Sequence, residues 1–446
     1  MAPQAKRLLL LSIDGLSRDN FQLLSQQLVL SNRHLRFDQL VEIDSTPLTS
    51  AHAIWAEILT GKSWHENGCI GHARPRSSLK QLEVVTEDHL GSPIRFEVDN
   101  ELCIYINVPL IARSKNNRIW LAEGSSPSLL RVSPAQLQKQ APYSAYKPRP
   151  YSGLATALTS PSKSAELCLA LESQRLTCAM QLIESTNWRR CILRLSAFDQ
   201  LGHLFGPDYL KETTLRIVPS LQKFVTDFDT ALAQILKMPD IDVFLLSSFS
   251  VIHCIAQINI NELLIQGGFA QARPANDDDA STLRRSAAAL AIAGANIPAA
   301  KEGSSPSPSS AASSRGNAAY SPVSGSVYMN AKDRFSDGYV PPEKLARLSD
   351  RLKSYLADET RCRYGVDLQM VNLPSVASAS LALPDFIIHA EGCEFTDQPA
   401  ATFLSHGVPK GVHGCRGFVM PAAVAKSGKS LQEIKPKDLL AKVTNQ

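Results

Sequence analysis

Two segments of the chain carry residue types able to work on a charged ligand. In Phe198-Asp199-Gln200-Leu201-Gly202-His203 a carboxylate and an imidazole stand four residues apart. A pair at that spacing can grip one cation where the chain leaves a strand in a turn; a surface acid beside a hydrogen-bonded histidine would look the same. In Ser45-Thr46-Pro47-Leu48-Thr49-Ser50-Ala51-His52 two hydroxyls precede an apolar helical pattern over 51–59. Such a hydroxyl can simply cap the helix. It can also serve as a nucleophile: a hydroxyl is a poor one at neutral pH, but a bound divalent cation lowers its pKa, and the N–H groups of the helix start can then receive an anionic oxygen.

The elements around these segments say how they could meet. Residues 7–13 form a short apolar run that ends in Asp14-Gly15, and the same grammar recurs at 190–197, ending at Asp199, and at 242–247, ending at Ser248. Each reads as a buried parallel strand. Between them lie helical patterns, among them 215–236, with Ile217, Leu221, Phe224, Phe228, Leu232 and Ile235 at helical spacing. Alternating strands and helices predict a mostly parallel sheet covered on both faces. Ligands bind beyond the carboxyl ends of such strands, so Asp14 and Asp199 are expected to converge.

The bulk composition narrows the function classes. With 446 residues, 44% hydrophobic and 20% charged, the chain has ample material for a core. A net charge of +4 with no basic block nominates no nucleic-acid partner. The nine cysteines are scattered singles, which fits free thiols in a reducing, cytoplasmic compartment. The run Leu8-Leu9-Leu10-Leu11 behind Lys6 and Arg7 stops at Asp14 without a small-residue cleavage site. No stretch reaches the roughly 20 apolar residues of a membrane span. Residues 273–317, acidic at Asp277-Asp278-Asp279 and then almost wholly Ser, Pro and Ala, are expected to be a disordered insertion.

The segment from Pro47 through Thr60-Gly61 to Asn67-Gly68 resembles the nucleophile region of the type I phosphodiesterase/nucleotide pyrophosphatase branch of the alkaline phosphatase superfamily, with Asn67-Gly68 where His-Gly is usual. The resemblance makes Thr49 the nucleophile and Asp199-x-x-Gly202-His203 a metal motif. It also makes His413, in Gly411-Val412-His413-Gly414, the late metal ligand, with His406 as a rival. Further matching segments are Gln257–Phe269, Ala319-Tyr320-Ser321, Val327–Asn330, Gly338–Glu343 and Ile434–Leu440. The implied fold is α/β and alkaline phosphatase-like: a mostly parallel central sheet flanked by helices on both faces. One domain would be made of 1–272 and 318–446, interrupted by 273–317.

The resemblance also exposes a departure. It implies a second metal site built from Asp14, Thr49 and an Asp-His pair after the third strand, and the chain reads Ser248-Phe249 there. His253, four residues beyond Phe249, is a distant substitute. Asp14 and Thr49 alone are too few ligands for a tight site. One divalent ion, Zn2+ or Mn2+, is therefore expected at Asp199, His203 and His413, with the second position degenerate. Ser248→Asp with Phe249→His is expected to restore it. The implied function is a metal-dependent hydrolase of phosphate esters acting on a small phosphorylated substrate through Thr49. The alternative is a weak or inactive descendant that serves as a binding or scaffold protein.

Overall fold

The computed structural model describes residues 6–79, 82–98, 100–123, 131–148, 160–210, 218–270, 318–321, 325–373, 383–396, 411–422 and 433–444. The 273–317 insertion, the domain boundaries drawn around it and His406 lie outside these residues. The described chain falls into two compact units, one formed by 1–69, 86–255 and 406–446, the other by 70–85 and 256–405.

The first unit is built on an eight-stranded sheet in the order Val41–Asp44, Arg416–Pro421, Ile241–Ser247, Arg7–Ile13, Arg190–Leu195, Cys103–Ile106, Arg118–Leu121, Val132–Ser133. The five strands from Ile241–Ser247 to Arg118–Leu121 are mutually parallel, and antiparallel pairings occur toward both edges. The mostly parallel sheet with flanking helices is thus as the sequence predicts. The strand Arg7–Ile13 is central, in register with Arg190–Leu195 on one side and Ile241–Ser247 on the other. Its Leu9, Leu11 and Ile13 join a core with Phe21, Leu24, Leu176, Leu182, Phe224 and Phe228 from three helices. Leu8, Leu10 and Ser12 alternate to the opposite face and are buried as well, which is why the run reads as continuously apolar.

One local expectation changes. Asp199 does not sit in a turn but in the first turn of a helix, Ala197–Phe205, which starts directly after the strand ends at Leu195. Phe198, Leu201 and Gly202 bury one side of that helix, and their spacing carries it through the segment. The stretch 257–269 is a strand, Ala256–Asn259, before it becomes the helix Ile260–Gln266, with the Asn259 side chain accepting from the Glu262 N–H as its cap.

The second unit holds a four-stranded antiparallel sheet, Ala319–Tyr320, Ser326–Met329, Phe386–His389, Gln369–Asn372, with its own core of Ile260, Leu264, Val327, Leu352, Leu356 and Ile388.

Candidate metal centre

The side chains of Asp199, His203 and His413 come together at the carboxyl end of the parallel strands. Asp199 and His203 lie on one face of the Ala197–Phe205 helix, one turn apart. His413 ends the strand Gly411–His413, which pairs antiparallel with Val251–His253 just past the third parallel strand. His413 Nε2 lies 3.0 Å from Asp199 Oδ1 and 3.0 Å from His203 Nε2, and His203 Nε2 lies 3.3 Å from Asp199 Oδ1. Among the described residues, this is the group of carboxylate and imidazole atoms close enough to share an ion.

The tautomers follow from the partners. His203 Nδ1 is 2.8 Å from the Gly411 carbonyl, and His413 Nδ1 is 2.7 Å from the Thr49 carbonyl. A carbonyl only accepts, so each Nδ1 carries the proton and donates. Each neutral ring then presents the lone pair of Nε2 to the same small space as a carboxylate oxygen. Three lone-pair donors at hydrogen-bond distance repel one another unless a cation sits among them. An imidazole whose far nitrogen is fixed by a carbonyl is also the usual arrangement for a metal ligand. The donor set therefore fits a divalent ion, and two nitrogens with one oxygen suit zinc or manganese. Without an ion, protons take its place: burial pushes the Asp199 carboxyl up, but His413 and His203 in their protonated forms outweigh it and hold it well below the usual carboxylate range.

Several contacts fix these ligands in place. Ser196, which precedes the ligand helix, donates its N–H and its hydroxyl to Glu172 Oε1 at 3.0 and 2.8 Å, and Glu172 is paired with buried Arg175. Gly15, at φ +93°, packs so tightly on the start of that helix that a Cβ there would meet Asp199 Cα at 2.4 Å. The Phe249 ring, fully buried, lies 4.2 Å from the His413 ring, centroid to centroid.

Asp14 is next door but does not join this group. Its Oδ1 accepts from Ser12 Oγ (2.6 Å), Ser248 N (3.0 Å) and Ser248 Oγ (2.7 Å). Its Oδ2 accepts from Trp55 Nε1 (3.0 Å) and Arg194 Nε (2.5 Å). A carboxylate with both oxygens taken and its charge matched by a guanidinium has no lone pair left to offer an ion. The residues present do not fit a second metal site. His253 stands apart, largely exposed and facing Asp208 at 3.7 Å. Thr49 is half-buried, two residues ahead of the helix Ala51–Thr60, and its carbonyl ties it to His413. Ser50 occupies the cap position but makes no capping side-chain bond.

Sequence reasoning missed Arg194 and Trp55. The signal for Arg194 was present: a charged residue inside the apolar strand Cys191-Ile192-Leu193-Arg194-Leu195 demands a buried partner.

A profile of the type I phosphodiesterase/nucleotide pyrophosphatase family matches residues 8–415. The chain belongs to that family. The match spans every strand of the central sheet except the final one, and it takes in Asp14, Thr49, Asp199, His203 and His413. Phosphodiesterase-family chains are metal-dependent phosphoryl-transfer hydrolases of the alkaline phosphatase superfamily. No curated protein matches the sequence. Among solved structures, phosphonoacetate hydrolase from Sinorhizobium meliloti 1021 in complex with phosphonoformate is similar at a TM-score of 0.59 and 13% identity, over 99% of this chain and 96% of that one. Murine ectonucleotide pyrophosphatase/phosphodiesterase 5 is similar at 0.53 and 10%, over 99% and 94%. Wild-type alkaline phosphatase PafA is similar at 0.53 and 13%, over 100% and 96%. At such identities the likeness establishes the fold.

Proposed function

We propose that this phosphodiesterase-family chain hydrolyses small phosphate esters with one divalent ion held by Asp199, His203 and His413, and with Thr49 as the nucleophile. The observation that carries the reading is the convergence of three ligand atoms whose two imidazole tautomers are fixed by backbone carbonyls. When bound, the ion supplies positive charge that acidifies a nearby hydroxyl and draws off charge from a phosphoryl oxygen.

The chain's own residues do the rest. His413 holds the Thr49 carbonyl, so the nucleophile's backbone and a metal ligand move as one piece. The N-terminus of Ala51–Thr60 lies just beyond and offers N–H groups to the transferred phosphoryl group. Attack by Thr49 Oγ1 forms an O–P bond as the P–O bond to the ester oxygen breaks; the hydroxyl proton passes to solvent and the leaving alcohol takes one up, and water then cleaves the Thr49 O–P bond and returns a proton to Oγ1. An inactive variant of the murine relative has been solved in complex with AMP, and a nucleotide is a reasonable first substrate class to assay here. None of the nine cysteines is in a disulfide, which supports a reducing, cytoplasmic setting. No helix among the described residues is long and apolar enough to cross a membrane.

The saturation of Asp14 favours a second reading, a binding protein with little or no turnover. An aryl phosphodiester and an aryl phosphomonoester, assayed with zinc, manganese and magnesium, separate the two. Hydrolysis by the wild type and its loss in folded, metal-loaded Thr49→Ala support the hydrolase. No turnover with any substrate or ion leaves the binding protein. Turnover that survives in Thr49→Ala removes the threonine from the mechanism and points to attack by water.

A further inference from the structure

Arg194 is an arginine within a buried parallel strand, 4% exposed, and its backbone carbonyl is held by Asn107 Nδ2 at 3.0 Å. A guanidinium is expensive to bury, and it persists there only with partners for its charge. Asp14 is one such partner, but it engages Nε alone. A guanidinium has five N–H donors in a rigid fork, and the four on Nη1 and Nη2 make no hydrogen bond with any described residue.

The surroundings indicate what those donors serve. Ser12, Ser248 and Trp55 occupy the remaining acceptor sites of Asp14, so the carboxylate is locked in place and fixes Arg194 in turn. Burial would favour the neutral form of Arg194, but Asp14, Glu123 and Asp199 outweigh it and keep the guanidinium charged; Gly15, next to Asp14, packs directly on the Asp199 backbone. A permanent cation thus stands beside the metal centre, with one edge committed to Asp14 and no bond from its amino groups to any described residue.

We propose that Arg194 replaces a second metal ion in this chain: Asp14 orients the guanidinium, and its amino groups bind an anionic oxygen of the phosphorylated ligand held at the Asp199/His203/His413 centre. The inference rests on the one-ion reading of that centre and adds the group that takes up the other charge. It also accounts for Ser248. A serine donates to Asp14, whereas an acid in its place would compete with Asp14 for the same guanidinium.

The test measures inorganic phosphate binding by titration calorimetry on zinc-loaded protein, with metal content by mass spectrometry and folding by circular dichroism. Three proteins are compared: wild type, Arg194→Lys, and the neutral pair Asp14→Asn/Arg194→Met. Arg194→Lys keeps a cation for Asp14 but loses the fork. The neutral pair removes both charges together, so no lone charge is left buried. All three are expected to hold one ion, and phosphate affinity is expected to fall at least tenfold in both variants. A folded variant of either kind that binds phosphate as tightly as the wild type overturns the proposal, because Arg194 would then be only the counter-ion of Asp14. A zinc-loaded wild type that binds no phosphate overturns it as well. Arg194-dependent phosphate binding by a protein that hydrolyses no ester sustains the proposal while removing the hydrolase reading. Ester hydrolysis with Arg194-independent binding does the reverse.

Discussion

Placing an acid at position 248 probes the boundary between the ion pair and the metal centre. Ser248 Oγ lies 2.7 Å from Asp14 Oδ1 and donates to it. In Ser248→Asp that donor becomes a carboxylate, and two like charges about 3 Å apart repel by ~5–6 kcal/mol at an effective dielectric constant of about 20. The introduced carboxyl can escape by holding a proton. From an ordinary aspartate pKa of about 3.9, that costs ~4 kcal/mol at pH 7. Arg194 is already bonded to Asp14 through Nε and offsets only part of it, so the expected loss of stability at pH 7 is about 3–4 kcal/mol. The sign with pH follows from the same proton. The introduced group titrates higher in the folded than in the unfolded chain, so stability is intact below the unfolded value and is lost as pH rises. At pH 5 the cost shrinks to ~1–2 kcal/mol. Urea denaturation at pH 5 and pH 7, with zinc and with chelator, reads both numbers. Added zinc is expected to leave the loss in place, because Asp14 stays bonded to the Arg194 guanidinium. Ser248→Asp with wild-type stability at pH 7 in chelator, or with a second tightly bound ion while Arg194 is intact, refutes the reasoning. The double change Ser248→Asp/Phe249→His, which the sequence suggests would restore a second site, is expected to fail for the same reason until Arg194 is also replaced.

Other perturbations test separate parts of the structure. Phe249 is fully buried against the His413 ring, so Phe249→Ala is expected to cost ~3–5 kcal/mol in urea denaturation and to weaken zinc binding by freeing His413. Glu57 is pushed up to about 7 by burial, against the hydrogen bond it accepts from Trp64 N at 2.7 Å. Its contribution to stability is therefore full below about pH 4.5 and lost as pH rises through 7, and Glu57→Gln is expected to gain ~2–3 kcal/mol at pH 8 and nothing at pH 4; equal effects at both pH values would contradict this. A Cβ on Gly411 would meet the Gly202 carbonyl and Val251 Cγ1 at 2.4 Å. Gly411→Ala is thus expected to shift the His413 strand and lower zinc affinity by at least tenfold, a change visible by competition with a chromophoric chelator.

The framework of this site was legible in the sequence because it rests on local pattern. Apolar runs ending at Asp14, near Asp199 and at Ser248 mark parallel strands, and the convergence of their carboxyl ends follows from topology. Two features were not legible, for different reasons. Asp199 entered a helix instead of a turn because the burial of Phe198, Leu201 and Gly202 on one side is a tertiary effect that a four-residue spacing cannot reveal. The neighbourhood of Asp14 looked like an incomplete metal site because Ser248 and Phe249 were read as lost ligands. The structure fills that space from elsewhere: Arg194 comes from another strand and Trp55 from a helix, 180 and 41 residues away from Asp14 in the chain. A pairing that distant leaves only an indirect trace in sequence, the unexplained charge in an apolar strand.

The most direct measurement is the metal content of protein purified without chelator, on wild type and His413→Ala in parallel. One divalent ion per wild-type chain, lost in folded His413→Ala, is the expected result. Two tightly held ions per wild-type chain, or one ion that survives in His413→Ala, would contradict a single centre at Asp199, His203 and His413.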